Sequence, residues 1–377
     1  MENNNDNKVL NVPHLRFPEF SGEWKMATFG DIAKGFDYGM NAAAKSFDGN
    51  NKYIRITDID EVSSQYLYDD VVSPDGELED RYLVKENDIL LARTGASTGK
   101  SYLYRNSDGK LYFAGFLIRA NIYKHNSYFV FSQLHTLRYK KWISVMSARS
   151  GQPGINSQEY ASFPVYTTSL QEEDKIATFL KLLDERIITQ NKIIEKLQSL
   201  IKGLAVALTT KEKANIAISQ CLECHSSTLQ ESEVLSSGLC KVFGANGLVG
   251  YKDVPQMNGD AILVIKDGSG VGTVSYAQGK FSVIGTLNYL TVIGNNDLRY
   301  LYFALSVFNF QPYKTGMAIP HIYFKDYGKA KIYCPSLAEQ KRVANVLDKL
   351  ESKLFVEQEL LASFNQQKLY LLGKMFI

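Results

Sequence analysis

Residues 95–101 of this 377-residue chain come close to a phosphate-binding loop. The stretch reads Gly95-Ala-Ser-Thr-Gly99-Lys100-Ser101, one residue short of a loop whose four residues between the glycines let successive amides converge on phosphates. A similar turn at residues 268–272 has no Lys-Ser after it. We therefore expect a turn shared by two parts of the chain, with Lys100 as a possible phosphate contact. An ATP site abolished by Lys100→Ala is the less favoured alternative.

The second chemically suggestive stretch is Cys221-Leu-Glu-Cys224-His225, which matches the haem attachment signature of exported cytochromes. That chemistry requires export, and we expect no export leader on this chain, so a haem attachment site is not expected. A zinc site would need a fourth ligand, and Cys240 follows only after a long gap and without a partner cysteine. We expect ordinary core cysteines and no metal site.

No other pattern suggests catalysis. No two of the nine prolines are adjacent, which excludes the Asn/Asp-Pro-Pro-aromatic loop of DNA methyltransferases. Pro74-Asp75 and Glu173-x-Lys175 resemble a nuclease carboxylate set, but they lie far apart in the sequence and the second lies inside a long predicted helix. The five histidines fit no nucleophile-base pattern. The sequence therefore predicts a protein without a catalytic constellation.

The elements that carry these residues occur twice. The stretch from Ser169 to Leu180 aligns with the stretch from Ser336 to Leu347 at an offset of 336 − 169 = 167 residues. Both serines are predicted helix N-caps, with Glu172 and Glu339 three residues later completing capping boxes. The chain is therefore a duplication in the order globular segment, helix, globular segment, helix.

Each predicted helix has a heptad seam, which is typical of a coiled coil. Polar Gln190 and Glu357 lie at equivalent places in the middle of the two seams, where such residues usually fix the register. Two helices with the same seam most simply pair with each other, and two unrelated amphipathic helices are the alternative. The predicted seam residues are Ile176, Leu180, Leu183, Ile187, Gln190, Ile194 and Leu197 in the first helix, and Val343, Leu347, Leu350, Leu354, Glu357, Leu361 and Phe364 in the second.

Charge is distributed unevenly in a chain whose formal net charge is only +2. Residues 89–168 hold 10 basic and 2 acidic side chains, a local charge of 10 − 2 = +8, whereas residues 1–88 hold 9 basic and 18 acidic ones. A basic segment that begins near a glycine turn fits a phosphate-facing surface, although a solvated basic face would look similar.

The overall composition indicates a globular protein of several domains. Hydrophobic residues make up 45% and charged residues 22% of the chain, which argues against disorder. The longest nearly apolar run, at residues 301–310, is far short of a membrane span. Four cysteines make no disulfide framework. We therefore expect a cytoplasmic protein.

Several of these stretches resemble the specificity subunits of type I restriction-modification enzymes. They are the opening Val12-Pro-His-Leu-Arg-Phe-Pro-Glu-Phe-Ser-Gly-Glu-Trp24, the paired helix starts, the strand-to-glycine turns and the closing Gln367-Lys-Leu-Tyr-Leu-Leu-Gly-Lys-Met-Phe376. The resemblance covers essentially the whole chain, including its duplicated order. The second globular segment departs from the family in lacking a Trp-x-x-x-x-Leu-Gly-Asp-type opening, which leaves its start near residues 211–220 open.

The resemblance implies an α+β fold with a pseudo-two-fold duplication. Two strand-rich target recognition domains, residues 1–168 (ordered from about 14) and 211–335, would each read half of a split double-stranded DNA site. Spacer helices at residues 169–210 and 336–377 would pack as an antiparallel coiled coil. Two modification subunits would carry S-adenosylmethionine, and restriction subunits would carry the ATP- and Mg-dependent translocase and nuclease. No cofactor is expected in this chain.

The length of the first helix fits such an architecture. From Ile176 to Leu208 it has 208 − 176 + 1 = 33 residues, or roughly 50 Å at about 1.5 Å per residue. That length spans on the order of 15 base pairs. We expect a bipartite target with an unread middle.

The residues expected to contact DNA are long donors and amides beside the shared turns. A structural or solvated role is an equal alternative for each of them. A duplicated coiled-coil scaffold that binds only proteins is the alternative function, and it would lack salt-dependent DNA affinity. The candidates are Arg93, Thr94, Lys100, Arg149, Gln152 and Asn156 in the first domain, and Lys266, Ser269, Lys314 and His321 in the second.

Overall fold

A computed structural model describes residues 10–148, 154–316 and 318–377, which form two compact units. Unit 1 consists of the described part of Met1–Thr189 together with Leu361–Ile377, and unit 2 is Gln190–Leu360. Each unit thus combines one globular segment with part of both long helices. Within the described ranges, no helix has both the length and the apolar character needed to cross a membrane.

The helices confirm the predicted alternation of globular segments and long helices. The Tyr- and Phe-rich stretch at residues 300–313 is helical only up to Ser306 and ends in a short 3-10 turn at Gln311–Tyr313. The α-helices are α1 Phe29–Ile32, α2 Ser127–Gln133, α3 Leu137–Ser147, α4 Ser157–Ala161, α5 Leu170–Thr209, α6 Leu298–Ser306, α7 Phe324–Tyr327 and α8 Leu337–Met375.

Unit 1 is built around an antiparallel four-stranded sheet in the order β2-β9-β6-β7. Two-stranded ladders β1-β10, β3-β5 and β4-β8 surround it. The strands are β1 Lys25–Thr28, β2 Ala33–Tyr38, β3 Ala43–Ser46, β4 Lys52–Ile54, β5 Val72–Asp75, β6 Asp88–Ala92, β7 Ser101–Leu103, β8 Leu111–Phe113, β9 Leu117–Ile122 and β10 Pro164–Thr167.

Unit 2 repeats the main sheet as β12-β19-β16-β17 and the terminal ladder as β11-β20, but its remaining strands form a different sheet, β14-β13-β18-β15. The duplication therefore extends to the topology of the main sheet and of the terminal ladder, whereas the other four strands are arranged differently. The strands of unit 2 are β11 Ile216–Ala217, β12 Leu222–Ser226, β13 Cys240–Gly244, β14 Gly247–Lys252, β15 Met257–Asn258, β16 Ala261–Ile265, β17 Val274–Ala277, β18 Lys280–Val283, β19 Leu287–Val292 and β20 Lys331–Ile332.

The two long helices run antiparallel within each unit. In unit 1, Lys368 Nζ lies 2.6 Å from Asp184 Oδ1, and the Arg186 guanidinium stacks over Phe364. In unit 2, Gln190 Nε2 donates to the carboxylate and backbone carbonyl of Glu357. Residue numbers that rise on one helix fall on the other, as antiparallel pairing requires. All fourteen seam positions named from the sequence lie on buried or half-buried faces.

The start of each long helix is tied to its own globular domain by a buried polar side chain. Glu173 Oε2 accepts a hydrogen bond from the Asn126 amide at 2.9 Å, and Gln340 Oε1 accepts one from the Asp297 amide at 2.8 Å. Asn126 and Asp297 are the N-caps of α2 and α6. Since 340 − 173 = 167, the duplication preserves this contact although one side chain is a carboxylate and the other an amide.

The structure confirms only one of the two parts of the predicted capping boxes. The hydroxyls of Ser169 and Ser336 accept from the amides of Glu172 and Glu339 at 3.4 Å, as predicted. The Glu172 carboxylate, however, accepts two hydrogen bonds from Arg16, at 2.7 and 2.8 Å, and others from the Trp24 indole and the Thr168 hydroxyl. An arginine fork satisfies both oxygens of a carboxylate, which a single backbone amide cannot do.

The Arg16–Glu172 ion pair is expected to contribute to the stability of unit 1. Arg16→Met leaves a carboxylate that is 1% exposed without its cation, and we expect a loss of about 3 kcal/mol from the free energy of unfolding of unit 1. Burial raises the pKa of Glu172, but hydrogen bonds from Arg16 and Thr168 lower it more. The contribution is therefore present above the ordinary glutamate pKa and is lost as the pH falls through the lower folded value.

Denaturant unfolding followed by tryptophan fluorescence measures this loss in unit 1, because both tryptophans, Trp24 and Trp142, belong to that unit. The difference between wild type and Arg16→Met should be largest near neutral pH and shrink in acid. Lys45→Met breaks an exposed pair with Asp75, also in unit 1, and should change stability by less than about 1 kcal/mol. Equal effects of the two substitutions would contradict the prediction.

Candidate nucleic-acid interface

One end of the main sheet in unit 1 gathers several of the predicted contact residues. Strand β6 ends at Ala92 and is followed by Arg93 and Thr94, while Lys100 directly precedes β7. The register pairs Leu91 with Ser101, so the two strands meet at this end. The glycine turn between them therefore presents Arg93, Thr94 and Lys100 together.

Helix α4 begins at the same place. The Ile155 amide donates to the Arg93 carbonyl at 2.9 Å, and Thr94 forms a bridge with Gly154. Asn156 is exposed, but its side chain caps α4 by accepting from the Glu159 amide at 2.9 Å. Its acceptor oxygen is thus already engaged, and its structural role is the one that the geometry displays.

The glycine turn is a strand-to-strand turn, as the shared-turn interpretation predicts. Gly95 and Gly99 have φ values of 68° and 91°, which favour glycine, and the chain continues into β7 rather than a helix. A phosphate-binding loop would need that helix. Beneath the turn, the buried Tyr160 hydroxyl donates to the Ala92 carbonyl at 2.6 Å and accepts from the Gly99 amide at 3.2 Å. Burial raises the pKa of Tyr160, so the hydroxyl stays protonated.

Lys100 has an acidic neighbour in the structure. Its Nζ lies 3.7 Å from the exposed Glu61 carboxylate, on a short hairpin that also holds Asp60. Burial raises the pKa of Asp60, but hydrogen bonds from Ser63 and the charge of Lys100 lower it more. Any phosphate approaching Lys100 would compete with these carboxylates, which weakens this candidate relative to Arg93.

Arg93 is the best-positioned candidate in unit 1. Its guanidinium stacks 5.0 Å from the Tyr38 ring, and its Nε donates to the Gly115 carbonyl at 3.2 Å. Burial raises the pKa of Tyr38, but the Ser157 hydrogen bond and the charge of Arg93 lower it more. No described residue accepts a hydrogen bond from the two Nη atoms of Arg93, which are the atoms that could bind a base edge or phosphate.

The same frame recurs in unit 2. The Lys266 amide donates to the Thr286 carbonyl at 2.9 Å, and the Lys266 carbonyl accepts from Ile322. These bonds match those of Arg93 with Phe116 and Ile155. Gly272 closes the turn by donating to Ile265 at 2.8 Å, as Gly99 does to Ala92 at 3.0 Å. Lys266 therefore stands at the position of Arg93.

His321 matches a different residue than the sequence comparison suggested. The sequence of residues 315–321 resembles that of residues 150–156, which pairs His321 with Asn156. The equivalent hydrogen bonds of Ile155 and Ile322 instead place His321 opposite Gly154. Tyr323 occupies the place of Asn156. The constant offset of 167 would have indicated this, since 323 − 156 = 167. His321 Nδ1 lies 3.3 Å from the Asp267 carboxylate.

The remaining candidates divide into described and undescribed positions. Ser269 is exposed in the turn of unit 2, and Lys314 is half-buried after a 3-10 turn. Arg149 and Gln152 lie outside the described residues. Three aromatic residues are also exposed at the same sheet ends: Tyr38, Phe116 and Tyr323. They were not predicted, because an aromatic residue in a strand-rich segment is usually part of the hydrophobic core.

The cysteines are free thiols, and Cys221 and Cys240 are buried. Burial raises the pKa of Cys224 to about 11. Among the described residues, no group of three or more His, Cys, Asp or Glu side chains could hold a metal ion.

The sequence matches the family model described as type I restriction modification DNA specificity domain, over residues 21–199 and 225–366. A specificity subunit of the EcoprrI type I restriction enzyme from Escherichia coli is 24% identical over 110 residues, 29% of this chain and 27% of that protein. The specificity subunit of MjaVIII from Methanocaldococcus jannaschii is 25% identical over 205 residues, 52% of this chain and 44% of that protein. The chain thus matches less than half the length of either relative.

Two solved structures share the fold. A type I restriction-modification S subunit from M. genitalium superposes with a TM-score of 0.69 at 18% identity, covering 97% of this chain and 99% of that one. A chain from a structure on assembly and conformational transition of a type I system has a TM-score of 0.53 at 14% identity, covering 94% and 97%.

The tyrosines beneath the glycine turns allow a matched test. Tyr160→Phe removes two hydrogen bonds from the unit 1 turn, so we expect a loss of about 1 kcal/mol and faster hydrogen exchange at the Gly99 amide. Among the described residues, the equivalent Tyr327 hydroxyl makes no hydrogen bond to the turn of unit 2 and interacts with the Asn288 side chain, so Tyr327→Phe should destabilise unit 2 less than Tyr160→Phe destabilises unit 1. Unchanged exchange at Gly99 in Tyr160→Phe would show that the hydroxyl does not hold the turn.

Proposed function

The chain belongs to the type I restriction-modification DNA specificity family, and we propose that it is the subunit that selects a bipartite double-stranded DNA site for such a system. The observation that carries the proposal is the repeated frame at the sheet ends, where Arg93 and Lys266 occupy equivalent positions in two otherwise divergent domains. Each domain would read one half-site. Identical frames with different side chains suit an asymmetric target.

The candidate contacts take different parts in this proposal. Arg93 and Lys266 are proposed to donate to base edges or phosphates, with Thr94, Lys100 and Ser269 contacting phosphates. His321 and Lys314 would contribute in unit 2, and Arg149 and Gln152 remain sequence-based candidates. Asn156 would act mainly by holding α4.

The catalytic chemistry is proposed to reside in partner subunits. Two modification subunits would bind S-adenosylmethionine and methylate adenine, and restriction subunits would use ATP and Mg²⁺. This chain would carry no cofactor and would act in the cytoplasm, where the chromosomal DNA is. The absence of a catalytic pattern in the sequence supports a non-catalytic role.

An apolar groove on the paired helices of unit 1 supports partner binding. Its volume is about 700 Å³, and its lining includes Phe179, Leu182, Leu183 and Tyr370. Leu182 and Tyr370 are both exposed. Helices that leave such a stripe uncovered suit a helical partner, and we propose a modification subunit as the occupant.

The duplication does not preserve this groove. Adding or subtracting 167 places Lys349 at the position of Leu182, and Gly203 at that of Tyr370. Two copies of one partner would therefore meet unequal surfaces and should bind with unequal affinity.

Methylation mapping tests the DNA-specificity role. Cells with active modification subunits should show a two-part methyladenine motif, with unspecified bases in the middle, only when this chain is present. Replacing residues 211–335 by those of a relative should change one half of the motif, and exchanging residues 14–168 should change the other. Absence of a chain-dependent motif, with expression and partner activity verified, would favour the protein-binding scaffold.

Charge introduced into the groove tests the partner surface. Leu182→Lys should weaken binding of one modification subunit by about tenfold or more, because a central apolar contact is replaced by a charge. Leu369→Lys is the matched control, since Leu369 is exposed on α8, the other helix of the groove, but does not line the groove. Titration with native mass spectrometry gives both stoichiometry and affinity. Equal binding by the two variants would place the partner elsewhere.

A further inference from the structure

Phe116 is an exposed aromatic residue on a tight turn at the reading end of unit 1. The turn joins β8 to β9 and is closed by the Leu117 amide, which donates to the Ala114 carbonyl at 2.9 Å. Phe116 is 56% exposed, although its side chain has no polar atom that could form a hydrogen bond with water. Its exposure on an ordered turn leaves the ring accessible to a binding partner.

The turn is fixed on two sides by backbone bonds. The Gly115 amide donates to the Met40 carbonyl at 2.8 Å, and the Phe116 carbonyl accepts from the Arg93 amide at 3.1 Å. Arg93 Nε adds a bond to the Gly115 carbonyl. The backbone that carries the ring is therefore held in place, which lowers the entropic cost of using it in an interface.

The surroundings of Phe116 favour nucleic acid over an apolar protein surface. Its bonded neighbour Arg93 carries a guanidinium against the Tyr38 ring, within a segment whose charge is +8 over residues 89–168. A protein-docking patch would need several contiguous apolar side chains. An aromatic ring beside a cation is instead the combination that stacks on bases or wedges between them.

Unit 2 has no ring at this position. The Thr286 carbonyl accepts from Lys266 just as the Phe116 carbonyl accepts from Arg93, so Thr286 is the equivalent residue. At the corresponding sheet end, unit 2 exposes Tyr323, at the position of Asn156 in unit 1. The same frame thus carries its ring at different places in the two domains.

We infer that Phe116 inserts between adjacent bases of the half-site read by unit 1, unstacking one base step there. This inference rests on the proposed DNA-reading function and deepens it. The equivalent step of the other half-site stays stacked at the position of Thr286.

Fluorescence of 2-aminopurine, which rises when the base unstacks, tests the insertion. The full chain assembled with its modification subunits is bound to duplexes that carry the mapped motif, with 2-aminopurine placed at successive positions. The domain exchange described above identifies the half read by unit 1. The wild type should show a rise at one step of that half, apart from any rise at the methylated adenine, which the modification subunits are expected to extrude.

Phe116→Ala should abolish that rise and lower affinity for the duplex by about tenfold or more. Phe116→Trp, which keeps a stacking ring, should retain affinity and unstacking. Phe47→Ala removes another exposed phenylalanine of unit 1 and should change neither.

The outcomes separate this inference from the function on which it rests. Equal affinity and fluorescence for wild type and Phe116→Ala would overturn the insertion while leaving DNA recognition intact. Lost affinity without any unstacking in the wild type would also overturn it, because Phe116 would then contact base edges or a thymine methyl group. Failure of the wild-type complex to bind its motif would instead overturn the proposed function.

Discussion

The architecture depends on one buried hydrogen bond that occurs twice, between the first turn of each long helix and the N-cap of an aromatic-rich helix in its own globular domain. Glu173 and Gln340 are almost fully buried, and the side chain of each accepts a hydrogen bond from the backbone amide of an N-cap residue. A buried acceptor without a donor would be costly, so this contact sets where α2 and α6 lie against the long helices. Helices α2 and α6 pack on the main sheets, whose ends carry the candidate DNA contacts.

The frame at the ends of the main sheets consists almost wholly of backbone hydrogen bonds. The backbone amides of Arg93 and Lys266 donate to carbonyls in the turns before β9 and β19. Their carbonyls accept from the amide of the residue that precedes the N-cap of α4 or α7. Backbone bonds do not depend on side-chain identity, so the exposed residues can change while the frame persists. Unit 1 accordingly presents Tyr38 and Phe116, whereas unit 2 presents His321 and Tyr323. This separation of frame from contact residues fits the proposal that one duplicated fold reads two different half-sites.

The structure also shows contacts of three predicted residues that local spacing did not suggest. Lys100 follows a glycine turn, which suggested a phosphate contact, but a hairpin distant in sequence brings Glu61 beside it. Asn156 has the polar amide expected of a base contact, yet its oxygen caps α4. Glu172 has capping-box spacing, and Arg16, 172 − 16 = 156 residues earlier, engages its carboxylate. The partners of Lys100 and Glu172 are far away along the chain, and local spacing contains no information about them. Asn156 differs, because it accepts from an amide only three residues later.

What the sequence determined by itself is the repetitive part: two copies, the offset of 167, the helix starts and the seam that lies buried in each unit. Helices and heptads follow from local periodicity, and a duplication is visible wherever periodicity is conserved. Only the tertiary structure decided which side chains are exposed at the sheet ends. Phe116 and Phe113 are indistinguishable in sequence as aromatic residues near a strand, yet one projects from a turn and the other is fully buried. That difference arises from long-range pairing of strands and turns, which fixes the direction of each side chain only when the whole sheet is assembled.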